Sequence, residues 1–380
     1  MHDGPVVVLS GGGTGGHLYP ALAIADALRE RRPDVRVVFV GAERGIEARV
    51  LPERHEEHLL LPVHGIDRAR LFGNWRVVTG LGVGLVRTFR LFARIRPAVV
   101  VVTGGYAGAA AGIVAGLTGV PLVLQEQNSL PGAVTKLLTR WANRVHVAFP
   151  EAIDRLPVTA GPVLVSGNPI RSRTGASRDD ARRHFGLPLD ASIVLVVGGS
   201  QGSVALNDVL LRVAEAVSSG TLELPPELHF LWATGPAHFE RVRAELDRIG
   251  APDAVHAVPY LEDMPEALAA ADVAVSRAGA MTTAEFLSQG LPAVLVPLPT
   301  SAEGHQLHNA RALADAGAAA LLPQDELTAE SLLATIDGLV SDPAGLEQMG
   351  ARALERARPD ARLDIAADVA SMLPERTVAA

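Results

Sequence analysis

The chain has 380 residues, 48% hydrophobic and 20% charged, with no cysteine and a formal net charge of −8. That length suits two or three well-buried domains of an ordinary globular α/β protein, and the missing thiols exclude disulfides and thiolate metal sites and point to a reducing compartment. The negative balance disfavours nonspecific nucleic-acid binding, no apolar run reaches about 18 residues, and no basic leader precedes the first valine run, so the expectation is a soluble or membrane-peripheral protein without nucleic-acid partners.

Short valine-rich runs alternate with longer helical patterns, the signature of βαβ units and parallel sheets. In the first half the spacing predicts strands at 6–10, 35–40, 99–103, 122–125 and 144–148, with a helix over 20–31. The pattern then restarts, with strands predicted at 193–197, 229–233, 255–259, 273–276 and 293–296. Helices are predicted near 204–218, 237–249, 281–289 and 305–316. Each strand run is apolar throughout, as expected when both faces of a sheet are covered. The fold class read from this is α/β, with two Rossmann-like doubly wound domains facing a central cleft. Their expected limits are 1–165 and 166–349, and the segment from about 350–380 is expected to pack its last helix back on the first domain.

Two glycine clusters occupy equivalent strand-to-helix turns. Gly11-Gly12-Gly13-Thr14-Gly15-Gly16-His17 follows the first strand, and Gly198-Gly199-Ser200-Gln201-Gly202 follows the first strand of the second half. Glycines there let backbone approach a ligand closely, and the helix N-terminus behind them favours an anion. The first is no dinucleotide fingerprint, since Gly41-Ala42-Glu43-Arg44 places no acid at the end of the second strand, and no Lys-Ser/Thr makes it a Walker loop. His17 is the candidate general base. A tight strand–helix turn is the plainer alternative for either loop alone; the pair suggests a cradle for a sugar nucleotide's diphosphate. No Asp-x-Asp occurs, so neither a metal nor another cofactor is expected.

Two further constellations lie in the second half. Ser276-Arg277-Ala278-Gly279 leads into Ala280, Met281, Thr282, Thr283, Ala284 and Glu285, where the glutamate is placed to accept hydrogen bonds from ribose hydroxyls; a dipole-favoured glutamate is the plainer alternative. In His305-Gln306-Leu307-His308-Asn309, Gln306 and Asn309 share a helix face and offer amides suited to sugar hydroxyls. From Arg68 to Gln125 there are seven arginines and no Asp or Glu. A helix over 83–96 would put Arg87, Arg90 and Arg94 on one face and Leu85, Phe89 and Phe92 on another. With Leu71, Phe72 and Trp75 this reads as an interfacial patch for anionic lipid, or else as a core helix with a solvated arginine face.

The stretches GGGTGGHLYPALAIADAL, GGYAG, QEQNSLPG, GNPIR, GGSQG, SRAGAMTTAE and HQLHNA, spread over Gly11–Ala310, together resemble the bacterial peptidoglycan N-acetylglucosaminyltransferases of GT-B architecture. The resemblance implies inverting transfer of N-acetylglucosamine from UDP-N-acetylglucosamine to the C4 hydroxyl of a lipid-linked N-acetylmuramoyl acceptor, at the cytoplasmic face of the inner membrane. The first domain would then serve the acceptor and membrane, and the second the UDP-sugar. By matching position, Thr14, Gly15 and Gly16 would border donor sugar and diphosphate, and Asn128 would contact the sugar. Arg171 and Ser200 would lie against nucleotide and phosphate, Leu261 would present its backbone to uracil, Ala280 through Glu285 would wrap phosphates and ribose, and Gln306 would read sugar hydroxyls. His305 and the stretch Thr300-Ser301-Ala302-Glu303-Gly304 depart from the pattern. A transferase with another lipid acceptor, a UDP-N-acetylglucosamine 2-epimerase and a non-catalytic sensor remain alternatives at this point.

Overall fold

The computed structural model describes residues 4–63, 65, 75–170, 175–225 and 227–375, except the side chains of 75 and 76. The chain divides into two compact units, Met1–Ile170 with Arg358–Ala380, and Arg171–Ala357.

The first unit is built on a parallel sheet of β1 (Val6–Gly11), β2 (Arg36–Ala42), β3 (His58–Leu61), β4 (Val99–Gly104), β5 (Leu122–Glu126), β6 (Arg144–Val147) and β7 (Val163–Val165). Its strand order is β3-β2-β1-β4-β5-β6-β7. The connecting helices are α1 (Gly15–Arg31), α2 (Glu47–Glu53), α3 (Trp75–Ile95), α4 (Gly105–Thr118) and α5 (Ala133–Leu138). Side chains alternate between faces with the two-residue strand period. Val7 and Leu9 enter one core with Val37, Phe39, Val99 and Val101; Val6 and Val8 enter the other with Val38, Val40, Val100 and Val102. Both faces are dry, which is why the sequence runs are uniformly apolar.

The second unit begins with α6 (Arg178–His184) and repeats the plan with β8 (Ser192–Val197), α7 (Val204–Ser218), β9 (Leu228–Ala233), α8 (Phe239–Ile249), β10 (Val255–Val258) and α9 (Met264–Ala270). It continues through β11 (Val273–Ser276), α10 (Ala280–Gln289), β12 (Ala293–Leu295), α11 (His305–Asp315), β13 (Ala320–Leu321), α12 (Ala329–Val340) and α13 (Pro343–Arg356). The strand order is β10-β9-β8-β11-β12-β13, again parallel throughout.

The last helix, α14 (Ala361–Ser371), belongs to the first unit and lies against α1. Ile365, Ala366, Val369 and Leu373 enter the core formed by Leu22, Ala25 and Leu28. Truncating a buried isoleucine or leucine at such a seam costs about 2–5 kcal/mol. By contrast α13 packs on α10 in the second unit, so the chain returns to the first unit at Arg358 rather than near 350.

Candidate active site

In each unit one strand marks the point where strand order reverses: β1 sits between β2 and β4, and β8 between β9 and β11. Ligand crevices of doubly wound sheets form at the carboxyl ends of strands at such a reversal. The glycine loops 11–16 and 198–202 both lie there, so the topology explains why the two motifs are placed alike.

In the first unit, Thr14 is the N-cap of α1 in extended conformation and makes no side-chain cap bond, and no acidic residue occupies the first turn. The amides of Gly15 and Gly16, at the first turn of the helix, precede any intrahelical partner and face an anion favourably. Residue 17 closes the turn, with its amide bonded to the Thr14 carbonyl at 3.2 Å. The His17 ring is fixed from behind. Its Nδ1 lies 2.9 Å from the Thr103 carbonyl and 3.0 Å from Gln127 Oε1. A carbonyl oxygen only accepts, so Nδ1 carries the proton in the neutral ring and Nε2 keeps its lone pair. The Gln127 amide is oriented in turn by donating to Thr103 O at 2.8 Å and Gln125 O at 3.0 Å. Gly104, at φ 107°, is required here: a Cβ would stand 2.7 Å from His17 Nδ1.

Within the QEQN stretch Gln125 and Glu126 are structural. Glu126, 3% exposed, accepts from Asn128 N at 3.0 Å, Gly132 N at 3.0 Å and Thr135 Oγ1 at 2.6 Å. The Asn128 side chain donates to the same carboxylate at 3.3 Å, so at least one of its amide protons is used within the protein. Asn168 Nδ2 donates to Gln127 O at 3.1 Å, and Gln125 Nε2 donates to Asn168 Oδ1 at 3.1 Å. Asn168 is therefore a buried anchor of the first unit, beyond the limit of 165 expected from sequence. Arg171 lies outside the described residues.

In the second unit Ser200 is exposed at the tip of a turn closed by the Gly202 amide on Gly199 O at 2.9 Å. Beneath it, Ser203 caps α7 through Leu206 N and accepts from Arg277 Nε at 3.0 Å. Arg277 Nη1 donates to the carbonyls of Val296 at 3.1 Å and Pro297 at 3.3 Å. The residue is only 8% exposed, and these partners are all neutral oxygens. Burial away from any described carboxylate lowers the guanidinium's pKa, meaning that the site holds a desolvated positive charge without a counterion among the described residues.

Ala280, Met281, Thr282, Ala284 and Glu285 are half-buried along the start of α10, with Glu285 in its second turn. Thr283 departs from expectation. It is 1% exposed and its hydroxyl donates to the carbonyls of Gly279 and Ala280, each at 3.1 Å, so it braces the helix start and offers no hydroxyl to a ligand. Asn309 is likewise fully buried, donating to Ala278 O at 3.3 Å, whereas Gln306, on the same helix, is half-buried with Oε1 accepting from Leu298 N at 2.9 Å. Leu261, three residues after β10, is buried at 4% exposure. Sequence reasoning missed Thr103, Gln127 and Arg277 as site residues, and it missed Glu47, whose carboxylate accepts from Gly13 N at 2.8 Å. The signals were the GGYAG turn after β4 and the arginine ending β11.

Two family models match the chain: the glycosyltransferase family 28 N-terminal domain over residues 7–147, and the C-terminal domain of the same family over residues 193–364. A protein of Salinibacter ruber named UDP-N-acetylglucosamine–N-acetylmuramyl-(pentapeptide) pyrophosphoryl-undecaprenol N-acetylglucosamine transferase is 40% identical over 97% of each chain. One of Desulforudis audaxviator with the same name is 38% identical over 94% of this chain and 97% of the other. Among solved structures, MurG of Acinetobacter baumannii superposes with TM-score 0.77 at 27% identity, over 97% of this chain and 100% of that one. A UDP-N-acetylglucosamine 2-epimerase, with TM-score 0.62 at 16% identity over 95% of this chain and 94% of its own, shares the fold alone. With relatives of this likeness along nearly its whole length, the chain belongs to glycosyltransferase family 28, among the UDP-N-acetylglucosamine–N-acetylmuramyl-(pentapeptide) pyrophosphoryl-undecaprenol N-acetylglucosamine transferases.

Proposed function

We propose that the protein transfers N-acetylglucosamine from UDP-N-acetylglucosamine to the C4 hydroxyl of the N-acetylmuramoyl unit of a pyrophosphoryl-undecaprenol acceptor, with inversion to a β(1→4) linkage. The observation that carries the reading, in a chain of this family, is the His17 imidazole, held through Nδ1 so that Nε2 is a ready proton acceptor. The acceptor oxygen attacks the anomeric carbon, its proton passes to His17 Nε2, and the bond to the UDP oxygen breaks. Negative charge gathers on the leaving diphosphate, and preorganised donors aimed at such charge are the largest lever an enzyme has on this step. We assign that task to Ser200, Arg171, the turn of Gly199–Gly202 and the start of α10 through Ala280, Met281 and Thr282, with the Arg277 charge behind them. Leu261 backbone and Glu285 take uracil and ribose. Thr14, Gly15, Gly16, Asn128 and Gln306 take the sugar and its phosphate side, and Ala284 lines the nucleotide.

Incubation with labelled UDP-N-acetylglucosamine tests this directly. UDP release that requires the lipid-linked acceptor supports transfer; isomerisation without acceptor would make the protein an epimerase, and binding without turnover a sensor.

For membrane contact, α3 supports a peripheral mode with a changed surface. Phe92 is 4% exposed in the core and Leu85 packs half-buried against it, so of the apolar face expected from sequence only Phe89 reaches the surface. The outer face instead mixes exposed Val78, Val83, Val86 and Phe89 with Arg90 and Arg94, while Arg87 pairs with Glu43 at 2.9 Å. Leu71, Phe72 and the Trp75 side chain lie outside the described residues. No described helix is long and apolar enough to cross a membrane. We place this face on the cytoplasmic leaflet of the inner membrane, where each basic residue adds about 1 kcal/mol. Sedimentation with vesicles containing anionic lipid should weaken in an Arg90→Glu/Arg94→Glu variant; indifference to both lipid charge and these changes would remove α3 as the contact.

A further inference from the structure

Glu47 opens α2 and is fully buried, yet its carboxylate faces no cation among the described residues. Its partners are backbone amides. Oε1 accepts from Gly13 N at 2.8 Å and from Ala42 N at 2.8 Å, and Oε2 lies 3.1 Å from Gly13 N. The surroundings are cut to this group: a Cβ on Gly12, Gly41 or Gly45 would overlap the Glu47 side chain. A carboxylate enclosed by glycines from the loop after β1, the end of β2 and the turn before α2 is a built feature, because each missing Cβ is space that the Glu47 side chain fills.

The hydrogen bond ties down the loop that carries the proposed chemistry. Gly13, at φ 92°, is the last residue before the Thr14 cap. Four residues on, His17 is held by the Thr103 carbonyl, and Thr103 Oγ1 donates back to His17 O at 2.6 Å. The turn is thus clamped at both ends, and only Thr14, Gly15 and Gly16 between the clamps are left to meet a ligand. Remote misplacement of about 1 Å can cost a reaction roughly 10²-fold.

We propose that Glu47 is a positioning residue for glycosyl transfer: enclosed by Gly12, Gly13, Gly41 and Gly45, it sets the pose of the Thr14–His17 turn without touching substrate. This rests on the transferase reading and deepens it. The carboxylate acts on the turn of the first unit, whereas uracil and ribose are assigned to residues of the second. Loss of Glu47 therefore falls on turnover and spares nucleotide affinity.

Glu47→Gln keeps the shape and turns one oxygen into a donor facing the Gly13 amide. It should lower kcat by roughly tenfold or more, the effect of one unsatisfied buried donor, with the Kd for UDP nearly unchanged and the Tm lowered by only a few degrees. Gly45→Ala, which displaces the carboxylate without removing it, should give the same split, and it decides the matter if the glutamine variant does not fold. Retention of kcat within about twofold, or a parallel fall in kcat and UDP affinity, overturns the proposal. Amide exchange supplies a readout independent of turnover: Gly13 and Ala42 should lose protection in Glu47→Gln while α7 does not, and unchanged protection also overturns it. Should the wild-type protein release no UDP with the lipid-linked acceptor, the transferase reading fails by itself, and the exchange data still judge whether Glu47 holds the turn.

Discussion

Beneath the loop that follows β1 lies a buried carboxylate, Glu47; beneath the loop that follows β8 lies a buried guanidinium, Arg277. The two loops share topology, glycine content and a helix N-terminus, so their backbones present similar dipoles. What differs is the charge behind them and what the next residues carry. The first loop has an imidazole locked into one tautomer; the second has a hydroxyl at its tip and a desolvated cation below. In a low-dielectric interior these charges act strongly over short distances. We read the first loop as shaped for proton transfer and sugar orientation, and the second for holding the nucleotide's diphosphate. On that reading one supersecondary device, repeated in one chain, serves two tasks through the buried charge behind each copy and the side chain it carries.

The sharpest way to break this division is to remove the imidazole. General-base assistance is worth ~10²–10⁴-fold, so His17→Ala should lose at least ~10²-fold in kcat while the Kd for UDP stays near that of the parent. Near-normal kcat at saturating substrates would strip His17 of its role. The complementary change, Arg277→Met, removes the cation and keeps most of the volume. The loss removes a desolvated charge acting through a low-dielectric interior rather than a direct contact, so UDP affinity measured by calorimetry should weaken by roughly tenfold. If both variants weakened UDP binding equally, the two loops would not differ in task.

The architecture was legible because it rests on runs that are buried on both faces. The predicted strands at 6–10, 99–103, 193–197 and 273–276 all lie within observed strands, and the helix predicted over 204–218 coincides with α7. The first helix shows where local rules fail. The helix predicted over 20–31 starts earlier: α1 begins at Gly15 with Pro20 inside it, and neither the glycines of its first turn nor an internal proline reads as helix locally. β7 and β13 escaped notice since three- and two-residue strands carry no period. At the site, the glycines, His17 and Ser200 stood out because loop chemistry is written in residue type. Thr103, Gln127, Glu47 and Arg277 did not, because what defines them is which backbone group they meet across the sheet. Thr283 and Asn309 show the converse: polar residues in a motif, spent on the backbone that holds it.

The smallest expected effect concerns what else the first unit has and the second lacks, a helix returned from the far end of the chain. Besides its apolar seam, α14 is tied down by a buried histidine: His146 Nε2 lies 3.0 Å from Asp368 Oδ2, and Nδ1 2.7 Å from Ser166 Oγ. Burial pushes the His146 pKa below the ordinary histidine value; Asp368 and, more weakly, Asp364 pull it up, and Arg144 pushes it further down. The net direction is downward, so the folded state resists a proton that the unfolded chain accepts. Stability from this contact is complete above the ordinary value of about 6.5 and declines as pH falls below it. Protection factors for α14 amides should therefore fall as pH drops from about 6.5 to about 5.5, while those of α7 hold, and His146→Gln should flatten the response. An α14 whose protection drops with acid just as steeply in that variant would show that the pH dependence of the seam comes from elsewhere, and that His146 holds the helix through shape alone.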